Sequence, residues 1–267
     1  MLTTVEPIEF SRKIDTGKTK PSLLVCEKAD GATIEVVAKF SGGCESQEAS
    51  LVRETIAACL AADLGLPVPQ PYIILVPPEW ENIVSDPGRR QQIAQSCRTA
   101  FGSTYLTGQY SLWTSGTMIT DEMLPTAAAI FVFDALTQNS DRRASNPNCL
   151  VKGKQIRIFD HELTFPTMLL GFIAPWRPGG LKSLENNENH AFRQALVGRQ
   201  VDYSPIKAAW QNISDVRIGE YGQSVPKAWA HANVVAQNSI VAKALSSIKD
   251  ARDNIDGCLA EVERVLK

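Results

Sequence analysis

The sequence predicts an α+β fold in two lobes, a small β-rich N-terminal one over residues 1–105 and a larger, mostly helical C-terminal one over 106–267. Three observations carry that expectation. Short β-branched runs crowd the first third of the chain, helical apolar periodicity fills its last third, and a polar stretch from Pro77 to Leu106 reads as a connector. With 267 residues, 44% of them apolar and 7% aromatic, the chain has ample material for a core, which excludes disorder of the whole.

The elements follow in order. Ser22 to Cys26 and Thr33 to Phe40 are short apolar runs on either side of Ala29-Asp30-Gly31, so they predict a β-hairpin. From Glu48 to Leu64, the residues Leu51, Val52, Ile56, Cys59, Leu60 and Leu64 recur at helical spacing, and Gly65 with Pro67 stops the helix. Tyr72 to Val76 returns to the sheet before Pro77-Pro78. A helix is expected over Arg89 to Arg98 within the connector. Leu124 to Leu136 is apolar nearly all round and predicts a buried helix. The loop Asn139 to Asn148 leads to two short strands, Cys149 to Val151 and Ile156 to Phe159, around a turn at Lys152-Gly153-Lys154. Beyond Asn186 the pattern is helical to the end, with Asp253-Asn254 or Gly257 as the place where the last segment splits.

Composition removes several function classes. Lys plus Arg number 27 against 29 Asp plus Glu, a net charge of -2, so nothing favours a nucleic-acid partner. The longest apolar stretch, Met168 to Trp176, is interrupted by Gly171 and Pro175 and is too short for a membrane span. Met1 to Phe10 carries Glu6 and Glu9 and lacks the basic start and apolar run of a secretory signal, which places the chain in the cytoplasm. Six scattered cysteines without a CxxC pair read as reduced, mostly buried thiols.

Four pieces stand in an order that suits phosphoryl transfer. That chemistry needs a cation on the phosphates, a carboxylate holding that cation, a second carboxylate beside the attacking hydroxyl, and hard oxygen ligands for Mg²⁺. Lys39 follows Val36-Val37-Ala38 at a strand end, as in the V-A-x-K strand of kinases, and offers a point charge to the phosphates; its plain alternative is a solvated strand-end lysine. Glu54 on the next helix is its candidate partner, with Glu48 as competitor. Asp141 and Asn146 stand five apart, the spacing of catalytic Asp and metal-binding Asn in H-R-D-x-x-x-x-N, which favours Asn146 over its rival Asn148. A polar turn would use the same residue types. Asp160 ends an apolar strand, where its carboxylate is a candidate metal ligand; His161 beside it has no partner spacing and receives no metal role. Asp15-Thr-Gly17-Lys18-Thr19 imitates the end of a P-loop, but Arg12 stands where the first glycine belongs and the segment precedes a strand. Gly17 instead suits a loop over nucleotide phosphates or a plain solvated loop.

These residues resemble the HipA-like kinases, whose catalytic half is similar to that of type II phosphatidylinositol 4-kinases. The matching segments are Thr16 to Pro21, Val36 to Phe40, Glu54 with Leu64 to Pro69, Phe101 to Leu106, Asn139-Ser-Asp141-Arg142 through Leu150, Ile158 to His161, and Val225 to Trp229. The resemblance implies a two-lobed protein kinase-like fold using ATP and Mg²⁺ to phosphorylate a hydroxyl, typically Ser or Thr of a protein, with a lipid or small-molecule acceptor or a silent nucleotide-binding scaffold as alternatives. It makes Asp141 the base, places Lys39, Glu54, Gly17 and Lys18 at the nucleotide, and gives the metal to Asn146 and Asp160. It also implies a regulatory partner protein, and it makes Thr16, Thr19 and Ser22 candidates for self-phosphorylation.

Overall fold

The computed structural model describes residues 2–14, 19–114, 116–166, 173–230 and 234–267, and the chain falls into two compact units. The fold is mixed, with eight strands and eight α-helices among the described residues. The first unit gathers Met1–Ile56, Pro69–Thr107 and Glu220–Ala242; the second gathers Ala57–Val68, Gly108–Gly219 and Lys243–Lys267.

Five strands of the first unit close into a barrel. β1 (Thr3–Lys13), β2 (Ser22–Lys28) and β3 (Thr33–Lys39) are successive antiparallel neighbours, and β5 (Thr99–Thr104) joins β3 to β4 (Pro71–Leu75). A parallel pairing of β1 with β4, Thr3 opposite Tyr72, completes the ring, so no strand edge is left open. The expected hairpin is present in register Leu24 opposite Val36, and its alternate residues Leu24, Cys26, Val36 and Ala38 point into the core with Ile74 and Ala100. Two barrel strands were not expected from the sequence. β1 carries Pro7 and two bulges, between Pro7 and Glu9 and between Phe10 and Arg12, so its alternation fails after a few residues. β5 has only Ala100 and Phe101 as apolar side chains between polar ends, with Gly102 at its middle, which disguised it as connector. There is no room there for more than hydrogen: a Cβ on Gly102 would stand 2.6 Å from Val36 Cγ1 and 2.9 Å from Ile74 Cδ1.

α1 (Glu48–Asp63) ends in a Schellman turn, with Gly65 N–H on Ala62 O and Leu66 N–H on Ala61 O, while Gly65 takes a φ of +72°. The connector helix, α2 (Pro87–Ala94), begins and ends earlier than the periodicity indicated because Asp86 caps it, accepting from Arg89 N–H at 2.9 Å. Trp229 is buried and donates its indole N–H to Thr99 O at 2.8 Å, which ties the segment around it to the first residue of β5.

The second unit has a three-stranded antiparallel sheet, β6 (Ser111–Leu112), β7 (Cys149–Lys152) and β8 (Gln155–Ile158), together with the buried helix α3 (Leu124–Thr137). The helical C-terminal stretch of the chain consists of α4 (Arg193–Leu196), α5 (Ser204–Gln211), α6 (Asp215–Gln223), α7 (Val234–Asp253) and α8 (Ile255–Leu266), of which the end of α6 and the first half of α7 belong to the first unit. The break falls at Asn254, and Gly257 lies inside α8. A Cβ on Gly257 would be 2.9 Å from Trp176 O, so this glycine serves close packing rather than termination. All six cysteines are free thiols, five of them buried, and burial pushes those of Cys26, Cys149 and Cys258 up to about 12. Among the described residues no helix is long and apolar enough to cross a membrane.

Candidate active site

Lys39 is the last residue of β3 and Glu54 lies mid-way along α1, and both are buried. Lys39 Nζ donates to Glu54 Oε2 at 2.8 Å. Two charges withdrawn from water are tolerated because each is the other's partner, and a buried ammonium held this way is fixed in direction. Gly17 and Lys18 lie outside the described residues, as does Thr16. The chain on either side of them is anchored by Arg89 of α2, which sequence reasoning did not single out. Its guanidinium donates to Lys20 O, to Ile14 O at 3.4 Å and to Gln92 Oε1 at 2.8 Å.

In the second unit the loop after α3 is built around a buried carboxylate. Asp134 Oδ2 accepts from Arg142 Nε at 2.6 Å and from His190 Nε2 at 3.1 Å, and its Oδ1 accepts from Asn139 Nδ2 at 2.8 Å. Burial pushes this carboxyl up, but the Arg142 charge and the His190 N–H outweigh burial and hold it down at about 2. His190 is neutral. Phe192 N–H donates to its Nδ1 at 3.1 Å, so its proton sits on Nε2, and burial lowers its pKa more than Asp134 raises it. The Arg142 guanidinium spans the loop, donating to Asn148 O at 2.6 Å and Phe159 O at 3.3 Å, and to His161 Nδ1 at 3.2 Å. His161 is therefore an acceptor within this network.

Asp141 is half-buried, and its backbone N–H donates to Asn139 Oδ1 at 3.1 Å. Asn148 Nδ2 donates to Asp141 Oδ2 at 2.9 Å. Asn146, two residues earlier, is exposed, and its Nδ2 donates to the backbone Asp141 O at 3.4 Å. Asn148 and Asp160 both have left-handed backbones, φ 43° and 62°, and Phe159 N–H donates to Asn148 O at 3.1 Å. Left-handed residues outside glycine cost energy and persist where the surroundings impose them, which marks this corner as built for orientation. Lys39 and Glu54 thus belong to the first unit, and Asp141, Asn146, Asn148 and Asp160 to the second. Among the described residues no three His, Cys, Asp or Glu side chains form a ready-made cage for a metal. The oxygens of Asp141, Asn148 and Asp160 are the hard donors Mg²⁺ takes, and Mg²⁺ commonly uses one or two carboxylates and completes its shell with water and substrate phosphates.

The model of the HipA-like kinase family matches residues 8–250. The chain belongs to that family. This HipA-like kinase matched none of the curated proteins with which it was compared. Among solved structures it is similar to the crystal structure of a Helicobacter pylori proinflammatory kinase, CtkA, at 13% identity and a TM-score of 0.47, over 99% of this chain and 100% of that one. The residues sequence reasoning missed are Asp134, Arg89 and His190. A single charge inside an otherwise apolar helix was the available signal for Asp134; Arg89 and His190 carry no spacing signal at all.

Proposed function

We propose that this kinase is cytoplasmic and transfers the γ-phosphoryl group of ATP to the hydroxyl of Ser or Thr in a protein. In this reading it has a two-lobed kinase fold, with the nucleotide lobe over 1–105 and the catalytic lobe over 106–267. The observation that carries the reading is the buried Lys39–Glu54 pair at 2.8 Å, which presents one oriented ammonium at the end of a barrel strand. Strand lysine and helix glutamate, paired, are what protein kinases use to hold the α and β phosphates. Gly17 and Lys18 are assigned to nucleotide binding.

Asp141 accepts the proton of the acceptor hydroxyl as its oxygen bonds to the γ-phosphorus and the bond to the β–γ bridging oxygen breaks, releasing ADP. Asn148 and Asp160 hold the metal, with Asn146 as the alternative to Asn148. The hydrogen bond from Asn148 Nδ2 to Asp141 favours Asn148, because it directs the amide nitrogen to the base and leaves the amide oxygen for a cation. Bound as its magnesium complex, ATP would supply the phosphoryl group, and the cation held by Asn148 and Asp160 would supply positive charge against the phosphates. A regulatory partner protein and self-phosphorylation among Thr16, Thr19 and Ser22 complete the proposal.

The test is incubation with labelled ATP and Mg²⁺ in a cell lysate, followed by identification of the labelled species. Label on Ser or Thr of protein is expected. Label on lipid or a small molecule would replace the acceptor class, and nucleotide binding without any transfer would make the chain a scaffold. Asp141→Ala should lower transfer by on the order of 10² to 10⁴ while melting like wild type. Transfer at the wild-type rate would remove Asp141 from the base role.

A further inference from the structure

The chemistry proposed for Asp141 needs none of Asp134, Arg142 or His190, yet these three are among the most completely buried polar side chains in the second unit, at 2%, 0% and 1% exposed. A carboxylate in the last turn of α3 faces the negative end of the helix dipole, a place where an anion is disfavoured. Replacement of a buried ion pair as a whole by apolar residues is often neutral or stabilising, so stability alone does not account for the Asp134–Arg142 pair. What the three groups share is the segment they grip.

Asp134 holds Asn139 and Arg142, respectively two residues before and one residue after Asp141. Asn139 in turn fixes the Asp141 backbone, and Arg142 draws in the carbonyls of Asn148 and Phe159, the latter adjoining Asp160. His190 closes the arrangement from a distant stretch of chain. Its N–H reaches Asp134, the next residue's backbone N–H donates to Arg142 O at 2.9 Å, and Ala144 N–H donates to Glu188 O at 3.2 Å. The imidazole is wedged edge-on against Phe131 and Phe192, with ring centroids 4.6 and 5.7 Å away, so it cannot swing aside.

We infer that Asp134 and His190 are positioning residues for phosphoryl transfer, acting through Arg142 to set where Asp141 and Asn148 stand. The inference rests on the reading of Asp141 as base. Neither residue touches substrate; each fixes the loop on which the reacting groups are carried. Supports of this kind matter because a displacement of about 1 Å at a reacting group costs on the order of a hundredfold in rate.

The test compares wild type with Asp134→Asn, which keeps the shape and removes the charge, and with His190→Leu and His190→Gln. Asp134→Asn should lower kcat about a hundredfold while KM for Mg-ATP stays within about threefold, and amide exchange over residues 139–148 should accelerate at least about tenfold. His190→Leu should do the same in smaller measure, and His190→Gln, which keeps an N–H donor for Asp134, should recover most of that loss. If Asp134→Asn leaves Arg142 too poorly paired to fold, the paired variant Asp134→Leu with Arg142→Met removes both charges, and the His190 variants leave both in place. A merely structural role predicts that any variant assayed well below its melting point has wild-type kcat and unchanged exchange over 139–148; that result overturns the inference. Should wild type transfer no phosphate, the kinase chemistry assigned to Asp141 fails, and the exchange comparison still decides whether this network holds the loop.

Discussion

Asn146 and Asn148 share a side chain and a loop but not an environment. The loop folds back on itself, Arg143 N–H donating to Asp141 O at 2.9 Å and Asn146 O at 3.1 Å, and this turn puts Asn146 outside while Asn148 comes to lie on Asp141. Counting residues along the chain favours Asn146; the path of the chain favours Asn148. Asn148→Ala should therefore lower kcat by on the order of a hundredfold and raise the Mg²⁺ concentration needed for half-maximal rate, the scale expected when a metal site or its supports are disturbed. Asn146→Ala should stay within about twofold, as exposed substitutions away from special features do. A Mg²⁺ titration of both variants checks this, and the reverse ranking would return the metal to Asn146. As candidates, Lys39, Asp141 and Asp160 could be named because each stands at or beside a strand or helix that periodicity reveals, while Glu54 stood level with Glu48 until the fold paired it with Lys39. Asp134 could not be named, since its partners are 5, 8 and 56 residues away and nothing local announces them.

At the scale of elements, the sequence exposed those whose apolar residues recur at a regular spacing or fill a whole run. β2, β3, α1 and α3 follow from spacing alone, and so does the stop after α1, where a glycine is needed for a positive φ. β1 and β5 hid because barrel closure, not alternation, makes them strands: β1 is bulged, and β5 must present a bare Cα to Val36 and Ile74. Gly102 thus marks a point where the β5 backbone lies directly against side chains of both neighbouring strands. Gly102→Ala should destabilise by about 1 to 3 kcal/mol, the usual cost of inserting a methyl into a filled core. Adding Val36→Ala, which withdraws the nearest of the crowding atoms, should return part of that loss. Chemical denaturation of the two variants measures both effects, and an undiminished midpoint for Gly102→Ala would mean that the barrel yields at this point without cost.

For the molecule as a whole, the buried network sets how stability responds to acid. Asp134 is held at about 2 against an ordinary value of 3.8, so its contribution is complete above pH 3.8 and fades as pH falls through about 2. That difference is worth about 2 kcal/mol for a fully buried group. His190 acts earlier. Faced by Asp134 and Arg142 and enclosed by Phe131 and Phe192, it is neutral in the folded chain, with a pKa below the ordinary 6.5. The unfolded chain takes up a proton near pH 6.5 that the folded chain refuses, so the unfolded state binds more protons and stability declines as pH drops below that point. Melting temperature should accordingly fall between pH 7 and pH 5 in wild type, and fall less steeply in His190→Gln, whose side chain keeps the donor but does not titrate. Parallel pH profiles for the two proteins would mean that His190 is protonated when folded, which would require its Nδ1 to give up the Phe192 N–H it accepts.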